Sequence, residues 1–286
     1  MIDNRGNRQS SARPQPPATD LGPGAVVAKV GELLENAVQM LRFFGKVSVS
    51  IPRAVRLYPS EVLRQCGILI LSSGMIIWFM ELVLGVVFAV QGHYISRQFG
   101  APGYVGVYPA LGGLRTGGPE MWGWILAAKV GCGLVAELGS MRISEEVDAL
   151  EVMGVEPVPY LVGTRVLAAT IAMPFLYIVG LGLLYVGSWF MIVKVLHTVS
   201  PGGFFDVLWA FQSPLDLLFS MIWTVVLGVL VVLVGCYYGY TAKGGPVGVG
   251  MNTSRSMVIN MVLVSLLGLI FHQLFWGGFA NAPIAN

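Results

Sequence analysis

"GILILSSGMIIWFMELVLGVVFAVQ", Gly67–Gln91, contains a single ionisable side chain, Glu81. An α-helix rises about 1.5 Å per residue, so about 20 apolar residues cross a hydrocarbon core of about 30 Å. The stretch therefore reads as a membrane-spanning helix. Four further runs follow at about Val105–Ala136, Val166–Val193, Asp216–Tyr240 and Met257–Phe279. The second is expected to break in "GGLRTGGPE", Gly112–Glu120, where glycines and Pro119 interrupt it, and the third to kink at Pro174. Composition agrees. The 286 residues are 55% hydrophobic and 11% charged, with mean hydropathy +0.74, against about 25% charged in soluble domains. The fold class is an all-α polytopic membrane protein with five transmembrane helices.

Outward from the first span, the chain divides into three parts. Residues 1–24 are rich in Pro, Gly, Arg and Ser, lack the apolar core of a signal peptide, and are expected to be a disordered cytoplasmic tail. Residues 25–64 hold an amphipathic helix from Ala25 to about Ser50 and a linker. Val26, Val30, Leu33, Leu34, Val38 and Leu41 share one face, and Lys29, Glu32, Gln39 and Arg42 the other. Charges this frequent exclude spanning and suit a helix lying in the membrane interface. Residues 65–286 form the five-span domain. The aromatic-rich loop His197–Pro214 can hold a short interfacial helix.

The first 64 residues carry nine of the seventeen Lys and Arg, so the positive-inside bias places the N-terminus in the cytoplasm of a multi-pass protein of the inner, cytoplasmic cell membrane. Five spans then put residues 137–165 and the Thr241–Arg255 loop on the same side. Residues 137–165 hold Glu137, Glu145, Glu146, Asp148, Glu151 and Glu156, six of the fifteen acids. A short helix is expected over Ser144–Met153, capped by Ser144, with Glu145 and Glu146 in its first turn and Gly154 at its end. Val147, Leu150 and Met153 would be left uncovered, and an acidic helix gains nothing from an anionic leaflet. A docking helix for a basic, grooved cytoplasmic protein uses both faces.

Several chemistries are excluded or unsupported. A net charge of +2 with no basic patch interleaved with aromatics gives no nucleic-acid site. Cys66, Cys132 and Cys236 are far apart, and His93, His197 and His272 are isolated, so neither metal nor cofactor is expected. No GxSxG elbow is present, and "FFGKV", Phe43–Val47, lacks the earlier glycine and hydroxyl residue of a P-loop. Any ATP hydrolysis belongs to another chain, and this one is not an enzyme.

"AAKVGCGLVAELGSMRISEEVDALEVMGVEPVPYLVGTRVLA", Ala127–Ala168, closely resembles the signature of the MlaE/YrbE permease family, the membrane subunits of MCE-type lipid ABC transporters, and most of all its actinobacterial YrbE branch. The matching elements are Lys129–Gly131, Ala136–Met153, Val155–Pro157 and Arg165. Weaker likeness runs from the amphipathic helix through "VQGHY", Val90–Tyr94, to the last span. The resemblance implies that residues 137–165 are a coupling segment seated in a groove of a cytoplasmic ABC ATPase. Glu137, Arg142, Glu145, Glu146, Asp148 and Glu151 would make the polar contact, and Val147 and Leu150 the apolar anchor. It further implies a second permease subunit, MCE-domain proteins on the outer face, and a lipid cargo; the departure at Thr116 favours a paralogue for that subunit, a heterodimer rather than a homodimer.

Charges inside spans are costly and mark cavities, partners or pathways. Glu81, Gln91 and Arg115 are placed on the substrate pathway. Arg115 matches the arginine of the family's R-E-[LV]-G-P element and would meet a lipid head group. The family's glutamate is Thr116 here, which a non-identical partner could compensate. Glu81 has two readings: an acid facing substrate or partner, or half of an ion pair with Lys129 or a second subunit. Lys129 and Glu81 as an ion-coupled pair would make the chain a secondary transporter instead. That class usually shows inverted repeats, and none is visible. Gly235 and Gly239 form a small-xxx-small face for helix packing, within the chain or between subunits.

Overall fold

The computed structural model describes residues 23–278. Among them every regular element is helical. The chain divides into two units, residues 1–42 and 43–286. Helix α1, Pro23–Leu57, begins in the first. There Leu34, Val38 and Leu41, from the apolar face in the sequence, are exposed. The expected tail, residues 1–24, lies almost wholly outside the described residues.

The second unit contains everything that follows. The linker expected before residue 65 is mostly helix. Only Tyr58 leaves it (φ −130°, ψ 43°), and α2, Pro59–Gln98, starts at once. Pro59 explains the break, because the residue before a proline is pushed out of the α region. Five helical segments are long and apolar enough to cross a membrane: Pro59–Gln98, Pro102–Ile143, Val158–Val195, Pro214–Tyr240 and Gly245–Trp276. Forty residues of α2 extend about 60 Å, twice the hydrocarbon thickness.

The second span corrects the expected break. It comprises α3 (Val107–Gly112), α4 (Gly118–Leu126) and α5 (Cys132–Ile143), joined by π-helical turns at Gly113–Gly117 and Ala127–Gly131. The chain stays helical because the wider turn accommodates Pro119: Gly118 N bonds back five residues to Gly113 O. Beyond the acidic helix α6 (Glu146–Val152) comes α7 (Thr164–Trp189), which continues through Pro174 between two more π turns. The aromatic-rich loop folds as α8, Pro201–Ala210, capped by Ser200. The last spans are α9 (Pro214–Tyr240) and α10 (Gly245–Trp276).

The tightest packing joins α2 to α7. A Cβ on Gly85 would lie 1.9 Å from Leu184 O, and one on Gly187 2.4 Å from Leu82 O. The glycines face each other's helices, and Ser188 Oγ donates to Gly85 O across the gap at 2.8 Å. Small residues permit such approach where lipid supplies no hydrophobic drive. Gly235 and Gly239 serve the same end within the chain: α9 lies against Gly131, Leu134 and Leu138 of the second span. The core holds Trp122, Tyr177, Leu126, Met173, Trp223 and Leu227, none measurably exposed.

Candidate functional site: an acidic end, a locked second span and an apolar groove

Residues 143–158 and the loop between α9 and α10 lie at one end of the bundle; α8 lies at the other. At the first end α6 departs from expectation in its start. Ser144 does not cap it. Its hydroxyl bonds back to Ser140 O at 2.8 Å, and Glu145 opens the helix in the left-handed conformation, φ 62°. A non-glycine residue held there costs about 1–3 kcal/mol and persists where its surroundings hold it. Arg142 supplies one restraint through its ion pair with Asp148. At the far end Gly154 is left-handed as expected, φ 78°, and Val155 N returns to Leu150 O at 3.0 Å.

The apolar stripe is the main correction at this end. Val147 is fully buried in the chain's own core, and Leu150 packs against the same cluster. Val147 therefore offers no surface to a partner, and Leu150 only part of one, because the helix uses them to seat itself. The exposed apolar side chains are Val152 and Met153, 89% and 68% accessible. Glu145, Glu146, Asp148 and Glu151 are exposed. Glu137 instead reaches back to the bundle: its Oε1 accepts from Arg165 Nη2 at 2.6 Å. Glu156 pairs with Arg53 of α1 at 2.9 Å.

The substrate-pathway residues are not brought together. Gln91 is exposed on α2. Glu81 is 1% exposed, its Cγ against Gly180 of α7, and neither carboxyl oxygen has a hydrogen-bond partner. The pairing with Lys129 is therefore absent. Lys129 is exposed, and the ion-coupled reading loses its pair. Glu120 is half-buried near Gly268 of α10.

Arg115 is inside the protein rather than on a cavity wall. Its Nη2 donates to Asp216 Oδ2 at 2.9 Å, with side-chain exposures of 8% and 2%. Asp216 closes a capping box with Ser213 at the start of α9, and its Oδ1 accepts from Trp276 Nε1 at 2.7 Å. The proline matters again. Pro119 has no N–H for the carbonyl four residues back, that of Arg115, and the His272 ring Nδ1 donates to this oxygen at 3.1 Å. Thus α9 and α10 both fasten the π turn. Asp216, His272 and Trp276 went unassigned in the sequence. The one available signal was Ser213-x-x-Asp216 ahead of an apolar run.

Thr116, next to Arg115, is exposed. With Phe88, Tyr108, Leu111 and Gly117 it lines a hollow of about 380 Å³. A second hollow of about 230 Å³, lined by Ile95, Phe99 and Tyr104, shares Val107 and Tyr108 with it. Together they form an apolar groove along α2 and the second span, toward the α8 end. Among the described residues no group of His, Cys, Asp and Glu could hold a metal.

Five apolar helices, a buried Arg115–Asp216 ion pair and a short acidic helix seated on one end define a multi-pass membrane protein. Residues 62–274 match the family model of the permease MlaE, and the chain belongs to the MlaE permease family. It is 28% identical over 266 residues, 88% of this chain and 99% of the relative, to the intermembrane phospholipid transport system permease protein MlaE of Haemophilus influenzae. It is 30% identical over 206 residues, 70% of this chain and 76% of the relative, to a probable ABC transporter permease protein of Synechocystis. A probable ABC transporter permease protein of Rickettsia prowazekii is 28% identical over 241 residues, 84% of this chain and 93% of its own length.

Proposed function

We propose that this chain is the membrane-embedded permease of an ATP-driven lipid transporter, and that α6 is its contact with a separate cytoplasmic ATPase. The carrying observation is how α6 is held. Val147 anchors it in the core, Arg142–Asp148 braces it, and Glu145, Glu146, Glu151, Val152 and Met153 face outward. A seated helix transmits force to the spans it joins, which a loose loop cannot do. The Lys/Arg bias supports a cytoplasmic position for this end.

The apolar groove beside Thr116 is the wall this subunit contributes to a lipid-sized cavity. The second wall comes from another permease subunit, a paralogue or a second copy. MCE-domain proteins continue the apolar path on the outer face. The phospholipid transport named for the Haemophilus relative supports a lipid cargo. ATP binding and hydrolysis on the partner drive the movement, and this chain makes and breaks no covalent bond.

The test is purification from native membranes of wild type and of Glu145→Lys/Glu146→Lys. Both residues are exposed, so the variant is expected to fold. An ATPase that accompanies wild type and is lost from the folded variant supports the reading. An ATPase retained by the variant, or absent from wild type in mild detergent, overturns it.

A further inference from the structure

A second, smaller pocket lies in the half of the bundle nearest α6, away from the apolar groove. It encloses about 160 Å³ between α2, the second span and α7, and is lined by Gln65, Ser72, Lys129, Gly133, Glu137 and Arg165. Its position counts. Arg165 is seven residues from the start of the third span and Glu137 six from the end of the second. At about 1.5 Å per residue both lie about 10 Å from that end of the helices, and Lys129, fourteen residues from it, about 21 Å, so the pocket runs inward from the head-group boundary.

The charges do not cancel. Arg165 is 5% exposed, bonded through Nη2 to Glu137 and through Nη1 to Leu161 O at 2.6 Å. Its Nε is buried and makes no hydrogen bond. Lys129 is exposed and joins none of the ion pairs among the described residues. Two cations and one carboxylate leave one positive charge. Ser72 is exposed and offers a hydroxyl. Apart from Gln65 and Ser73 the remaining wall is apolar, with Ile68 47% exposed beside it.

A cation kept inside a span is expensive unless it meets a counter-charge. Glu137 already serves Arg165, so the missing partner for Lys129 is an anion. Basic pockets between spans on the cytoplasmic side suit anionic head groups. We infer that this pocket binds a phosphate-type anion between Lys129 and Arg165, carried by the head group of an anionic lipid whose acyl chains lie along Ile68 and its apolar neighbours. The site is separate from the apolar groove, and its existence does not depend on which cargo the groove carries.

The experiment is native mass spectrometry of the full-length chain released from detergent with phosphatidylglycerol or phosphatidylcholine added. Wild type is expected to retain phosphatidylglycerol in preference. Lys129→Gln should lower that retention about fivefold, the factor one basic residue contributes near an anionic surface, and Lys129→Arg should restore it. Gly133→Leu is the steric counterpart. A Cβ there meets nothing within 4 Å, so the variant should fold while its side chain blocks the pocket. Retention that survives millimolar inorganic phosphate supports the lipid head group as the source; displacement by phosphate supports the anion site but assigns it to the free ion. Equal retention of the two lipids by wild type, or unchanged retention in both variants, overturns the proposal.

Discussion

Arg115 and Glu81 are both buried in apolar helices of the same bundle, yet they are treated in opposite ways. Arg115 meets Asp216, which is itself fixed by Ser213 and Trp276, while the Arg115 carbonyl is taken by His272. Three spans converge on one ion pair. Glu81 has Gly180 beside it and no partner for either oxygen. A buried ion pair whose carboxylate is fixed by further hydrogen bonds acts as a clamp, and removing one partner strands the other. A buried carboxyl without partners stabilises nothing. It is a cost the fold carries.

The comparison can be broken in three places. The largest effect is expected for Asp216→Ala. It strands Arg115 and removes the acceptor of Trp276 and Ser213, costing about 3–5 kcal/mol. The readout is thermal unfolding in detergent, with loss of the monodisperse folded species. A melting temperature equal to wild type would show that the cluster is no clamp. The intermediate effect has the opposite sign. Glu81→Leu exchanges an unpartnered carboxyl for an apolar side chain and should stabilise by about 1–3 kcal/mol. If the variant instead unfolds more easily, Glu81 has a partner in the assembled protein and the contrast with Arg115 disappears. The smallest is His272→Ala, which removes one interhelical hydrogen bond worth about 0.6 kcal/mol on average inside membranes. Its loss should be strongly non-additive with Asp216→Ala, because both act on the same turn. Simple addition of the two effects would mean that α9 and α10 hold the turn independently.

The sequence was most legible where the signal is local. Apolar runs longer than a bilayer is thick identify the five spans, and Gly154 marks the end of α6, since each depends on neighbouring residues alone. It was least legible where partners are remote. Asp216 and His272 lie 101 and 157 residues from Arg115, and no spacing rule joins them. Val147 shows a subtler limit. Its place on an apolar stripe was readable, but whether that stripe meets a partner or the chain's own core depends on what packs beneath it. The same holds for Gly235 and Gly239, which the fold turns toward the second span.

By itself, then, the order of residues determines a helical membrane protein of five spans with its acids gathered between the second and third, because hydropathy and helix length act over about 20 residues. Its long match to a known signature carries the family. Only the tertiary structure decides that Pro119 is accommodated by a π turn, that Arg115 is locked by Asp216 while Glu81 and Lys129 stay apart, and that α6 stands on Val147. Apart from the π turn itself, these are contacts between segments far apart in the chain. In a bilayer, which offers buried polar groups no water, the packing of the helices decides which of them are satisfied.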